Sequence, residues 1–111
     1  MRHEETHIYQ KCLQLMQVAQ ALIEQLPKGF GLLADPVRRN TASVAHNFAE
    51  GYYQSSPGQQ RRFLDYALQS AREASSSFDT ALCFKAATSE MTDKGKGLAL
   101  ELVKMLSKFR R

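Results

Sequence analysis

The sequence predicts an all-α protein, an antiparallel up-down-up-down four-helix bundle. Three observations lead there. Apolar residues recur at alternating steps of three and four along four segments. Breaks rich in Pro, Gly and Ser separate those segments. No segment alternates apolar and polar residues over a useful strand length. At 111 residues, 43% hydrophobic and 23% charged, the chain suits one domain spanning 1–111, built around one core.

The first helix is expected over about residues 4–26, where Ile8, Cys12, Leu15, Ala19, Leu22 and Leu26 form a heptad seam widened by Met16 and Ile23. "PKGFGLLADP" breaks it. Asp35 is expected to cap the second helix, with Pro36 at its first position, and the helix to run to about Gln54. "SSPGQQ" follows, with Ser56 as cap, Pro57 first and Gln59 three residues after the Ser. The third helix is expected from Pro57 to about Ala87, with Phe63, Ala67, Ser70, Ala74, Phe78, Ala81 and Lys85 on its core side. Its Ala and Ser content invites a close neighbour. The fourth starts near Ser89 or Thr92 and ends near Phe109, with Leu98, Leu102, Met105 and Phe109 on one face; Gly95 and Gly97 weaken its first turns.

Composition narrows the function classes. No run of about eighteen apolar residues suggests a membrane span, and the charged start "MRHEETHIYQ" has no apolar signal-peptide region. The expectation is a cytoplasmic protein without a membrane partner. Cys12 and Cys83 fall on apolar seams, which predicts two buried free thiols. Net charge is +4, suited to nucleic acid or an acidic surface. Six basic residues against one acidic follow from Lys94 onward.

Enzymatic motifs are weak. "HEETH", residues 3–7, satisfies H-E-x-x-H, but it sits at the N-terminus, and a catalytic zinc needs a third ligand and a walled cavity. Di-metal carboxylate bundles need inward Glu residues and paired Glu-x-x-His patterns; Glu24, Glu50, Glu73 and Glu101 lie on polar flanks. No phosphate-binding Gly-rich loop is present. The chain reads as a non-enzyme with no cofactor, no metal and no small-molecule substrate.

The stretch "RRNTASVAHNFAEG", residues 38–51, carries the strongest functional signal. Val37, Thr41, Val44 and Phe48 form its apolar stripe. Arg39, Ser43, Asn47 and Glu50 form a polar stripe opposite, beside a small-residue flank of Ala42, Ala45 and Ala49. A solvated face is one reading. Ser and Asn are poor helix formers, which favours the other: a polar contact between helices or subunits. In the predicted topology, Arg61 and Arg62 share one pole with Lys108, Arg110 and Arg111, joined by Glu4, Glu5, Glu50 and Asp65. That pole is basic on balance and is the expected nucleic-acid surface. Phe48, Phe63, Phe78 and Phe109 read as core, whereas Tyr52 and Tyr53 lie near the pole.

Residues 26–73 resemble the central signature of the bacterial four-helix-bundle proteins, the 23S ribosomal RNA intervening-sequence protein family. Pro27, Phe30, Gly31, Leu32, Arg38, Arg39, Ser43, Val44, Asn47, Phe48, Ala49, Glu50, Gly51, Phe63, Leu64, Ala67, Ser70 and Glu73 match its pattern in register. Pro36, Asn40 and the "HEETH" start depart from it. The resemblance implies a homo-oligomer, a ring-like homopentamer. It is also similar to accessory proteins of diversity-generating retroelements, basic barrels that bind nucleic acid and a reverse transcriptase. Implied partners are therefore other copies of this chain, RNA or DNA, and a reverse transcriptase. The alternative is a structural or protein-interaction module without nucleic-acid affinity.

Overall fold

The computed structural model describes residues 1–110. Four helices follow one another: α1 (His7–Glu24), α2 (Ala34–Tyr52), α3 (Pro57–Cys83) and α4 (Ser89–Phe109). Single 3-10 turns precede α1 (His3–Glu5) and α2 (Gly31–Leu33). Each helix packs on its sequence neighbour, and α4 closes the ring of contacts against α1. The result is the antiparallel up-down-up-down bundle, 46 × 20 × 18 Å.

The apolar seams meet on the axis. Cys12, Leu15 and Leu22 of α1, Val37, Val44 and Phe48 of α2, Leu64 and Phe78 of α3, and Leu102 and Leu106 of α4 are all fully buried. Burying side chains of this size supplies most of the folding drive, at about 1.5–3 kcal/mol each.

Helix ends differ from expectation where local chemistry competes. Thr6 is extended, so α1 starts at His7 rather than near residue 4, and the Thr6 hydroxyl accepts from Tyr9 N at 3.1 Å. His3 and His7 therefore do not share a helical turn. Asp35 does not cap α2: the 3-10 turn runs straight into the helix at Ala34, and Asp35 pairs with Arg39 one turn on. Pro36 is tolerated because the first N–H groups of a helix lack intrahelical partners. Helix α2 ends at Tyr52, two residues short of Gln54. Ser56 does cap α3, accepting from Gln59 N at 3.4 Å.

Helix α3 stops at Cys83, not Ala87. Lys85 adopts φ 57°, and Lys85 N and Ala86 N donate to Leu82 O and Ala81 O, both at 2.9 Å. This is a Schellman cap with Lys in the position that favours Gly. It turns Lys85 to solvent, and Cys83, the last residue of α3, is exposed as well; both correct an expected core placement. Thr88 then caps α4 by accepting from Met91 N at 3.3 Å. Phe109 is a further correction: it is 42% exposed, because α4 ends where the core ends.

Gly95 is not merely a weak helix residue. A Cβ there would lie 2.4 Å from Phe78 Cζ, so the missing side chain is the space the Phe78 ring fills between α3 and α4. Gly51 likewise lets the end of α2 approach α3, where a Cβ would meet Phe63 Cβ at 3.1 Å and Gln60 O at 3.3 Å.

Candidate polar face and basic pole

The seam between α2 and α3 is polar on its outer side. Ser43 Oγ lies 2.8 Å from Ser70 Oγ, and Asn47 Nδ2 donates to both Ser43 O and Ser43 Oγ at 2.9 Å. One turn or more above, Asn40 Nδ2 donates to Ser77 Oγ at 2.9 Å, and Ser77 donates back to Glu73 O at 3.0 Å. Small hydroxyl side chains let the two backbones come close, and hydrogen bonding across the seam satisfies the groups that this closeness covers. Above them a shallow groove of about 300 Å³ is lined in part by Pro36, Arg39, Asn40, Glu73, Ser77 and Thr80.

The four stripe residues are thus divided. Ser43 and Asn47 belong to the network that joins α2 to α3. Arg39 is exposed and pairs with Asp35 of its own helix. Glu50 is exposed, and no hydrogen bond or ion pair holds it among the described residues. Ala45 is buried, while Ala42 and Ala49 are half-buried.

The pole where α2 and α4 end and α1 and α3 begin collects the other candidates. Arg61, Arg62 and Lys108 are exposed and have no ion-pair partner among the described residues. Arg62 Nε donates to Tyr66 OH at 3.0 Å, and its guanidinium lies 5.7 Å from the centre of that ring. This hydrogen bond, with the charge interaction behind it, raises the Arg62 pKa further above its ordinary range. Arg110 differs: it pairs with Asp65 across the α3–α4 seam. Arg111 lies outside the described residues.

The same pole is crossed by the first residues of the chain. Tyr52 OH donates to Met1 O at 2.8 Å, and His3 N donates to Tyr53 OH at 3.1 Å. His3 Nδ1 lies 2.9 Å from the same hydroxyl. Its ring meets Tyr9 and Tyr53 edge-on, at 4.6 and 5.4 Å between centroids. Tyr52 stacks on Phe109. Among the described residues, no group of three or more His, Cys, Asp or Glu could hold a metal ion. Nor is any described helix long and apolar enough to cross a membrane.

Sequence reasoning missed two features. One is the His3 contact with Tyr53, which joins residues fifty apart. The other is a second ion pair across the α3–α4 seam, Lys96 Nζ to Asp79 Oδ1 at 2.8 Å. A hydrogen bond to Asp79, then its charge, and to a lesser degree Asp93 raise the Lys96 pKa. The fourteen-residue spacing shared by Asp65/Asp79 and Lys96/Arg110 was the available signal.

A family model described as 23S rRNA-intervening sequence protein matches residues 4–108. No curated protein is similar to the chain. Among solved structures, one similar chain is a protein of unknown function from the S23 ribosomal protein family of Bacteroides thetaiotaomicron. It has a TM-score of 0.85 and 18% identity, covering 94% of this chain and 98% of that one. At that identity the likeness speaks for the fold.

Proposed function

The chain belongs to the 23S rRNA-intervening sequence protein family, and from that membership we propose that it is a non-enzymatic, homo-oligomeric, nucleic-acid-binding accessory protein. The proposed assembly is a pentameric ring, in line with the family resemblance. The observation that carries nucleic-acid binding is the pole. Arg61, Arg62 and Lys108 stand exposed there without carboxylate partners among the described residues. A cyclic assembly repeats that pole around its axis, so weak contacts from single subunits add through avidity. Such contacts address phosphates and are largely blind to sequence.

The second reading is a protein-interaction module. It is favoured by the acids at the same pole. Asp65 occupies Arg110, and Glu4 pairs with Arg2. Binding of structured RNA and of duplex DNA at about 50 mM salt separates the two readings. The accessory-protein reading expects binding that weakens steeply as salt rises. Absence of binding at that salt favours the interaction module.

A further inference from the structure

Two ion pairs bracket the outer α3–α4 face. Fourteen residues separate Asp65 from Asp79 on α3, and fourteen separate Lys96 from Arg110 on α4. Midway on α3 is Arg72, seven residues from each aspartate and so on the same side of the helix. Midway on α4 is Val103, with Lys104 beside it and Leu100 one turn away, 48% exposed. Arg72 and Lys104 are both exposed and have no ion-pair partner among the described residues. The next residue on α3, Glu73, turns the other way and lines the groove on the α2–α3 face. It is exposed and receives only a hydrogen bond from Gln69 Nε2 at 3.2 Å, along with its Ser77 contact through the backbone. Glu50, on the outer side of α2 beside His46 and Tyr53, is also unpaired among the described residues.

The two faces meet along α3 and carry opposite free charge at one level of the bundle axis. We infer that the α2–α3 face of one copy docks on the α3–α4 face of the next, with Glu73 between the neighbour's Arg72 and Lys104. This rests on the oligomeric reading above and deepens it. A head-to-tail interface closes into a ring only if its two halves lie at the same height and at the correct angle. The height condition is met, since Arg72, Glu73 and Lys104 share one level. The two adjacent sides form a wedge with its edge on α3, as ring closure requires: a wedge of about 90° closes four copies and one of about 72° closes five, whereas opposite sides would build an open filament. Because α3 belongs to both faces, it lies nearest the axis of the ring.

Sedimentation velocity on four proteins tests this: wild type, Glu73→Lys, the pair Arg72→Glu with Lys104→Glu, and all three substitutions together. All positions are exposed, so helical circular dichroism should be unchanged. Wild type should sediment at several times 12.5 kDa. Glu73→Lys and the Arg72/Lys104 variant should each shift to smaller species, and the combined variant should return to the wild-type size. If wild type is oligomeric and either partial variant stays full-sized, or the combined variant is not restored, this pairing of faces is wrong. A wild type that is monomeric at micromolar concentration overturns the oligomeric reading itself.

Discussion

Ser43 Oγ and Ser70 Oγ meet at 2.8 Å across α2 and α3, and Asn47 adds its amide to the Ser43 hydroxyl. Ser70 is only 8% exposed, and Ser43 supplies its side-chain partner. Ser43→Ala should therefore cost about 1 kcal/mol or somewhat more, because it leaves a covered hydroxyl unsatisfied. Ser43→Ala with Ser70→Ala should cost less than the two single changes added together. Urea unfolding of the three variants measures this. Strictly additive losses would mean that the hydroxyls do not interact.

Gly95 and Gly97 sit two residues apart and should respond oppositely to alanine. At Gly97 nothing lies within 4 Å of an added Cβ, so Gly97→Ala should gain up to about 1 kcal/mol of helix propensity. At Gly95 the Cβ would press into the Phe78 ring, and overpacking should outweigh that gain, for a net loss of about 1–2 kcal/mol. Thermal unfolding should place Tm of Gly97→Ala above wild type and that of Gly95→Ala below it. A stabilised Gly95→Ala would contradict the close packing.

This pair shows what could be read in advance. Apolar periodicity is a local property, so the four helices and their order were legible, and with them seam positions such as Ile8, Leu15, Phe48, Phe78 and Leu102. Gly95 was legible only as a weak helix residue, since its use depends on Phe78, seventeen positions earlier and on another helix. Helix ends misled for a related reason. Asp35 and Pro36 look like a start, but the preceding 3-10 turn carries the backbone into α2 earlier, and no glycine marks the cap at Lys85. Within the polar stripe, spacing grouped Arg39, Ser43, Asn47 and Glu50 together. Which of them turns toward α3 depends on small rotations that put Ser43 and Asn47 on the seam and leave Arg39 and Glu50 outside. At the pole, the partnership of Arg110 with Asp65 required knowing the register of α3 on α4.

Lys85 holds a left-handed backbone conformation at the end of α3. A side chain in that region costs about 1–2 kcal/mol relative to Gly, offset in part by the greater freedom of Gly in the unfolded chain. Lys85→Gly should raise stability by about 0.5–1 kcal/mol in denaturant titration, and Lys85→Val should lower it. Equal stabilities for the three proteins would show that the cap carries no strain.

The cysteines should separate chemically. Cys83 is exposed and Cys12 is buried, so a thiol reagent should modify one cysteine per folded chain. Burial pushes the Cys12 thiol up from 9.0 to about 12. Its contribution to stability is complete below the unfolded value and is lost as pH rises from about 9 toward 12, where the unfolded chain ionises first. The stability difference between wild type and Cys12→Ala should narrow over that range. A constant difference would contradict the burial of this thiol.

The central claim is electrostatic binding of nucleic acid by the pole, and the salt dependence of duplex affinity tests it most directly. Each phosphate neutralised contributes about −0.9 to the slope of log affinity against log salt. Replacing Arg61, Arg62 and Lys108 with Gln should flatten that slope by up to about 2.7 per subunit in contact, while the oligomer persists. Arg110→Gln should chiefly loosen the α3–α4 seam, because Asp65 already holds that charge. An unchanged slope in the triple variant, or no measurable binding by wild type at about 50 mM salt, would contradict the account.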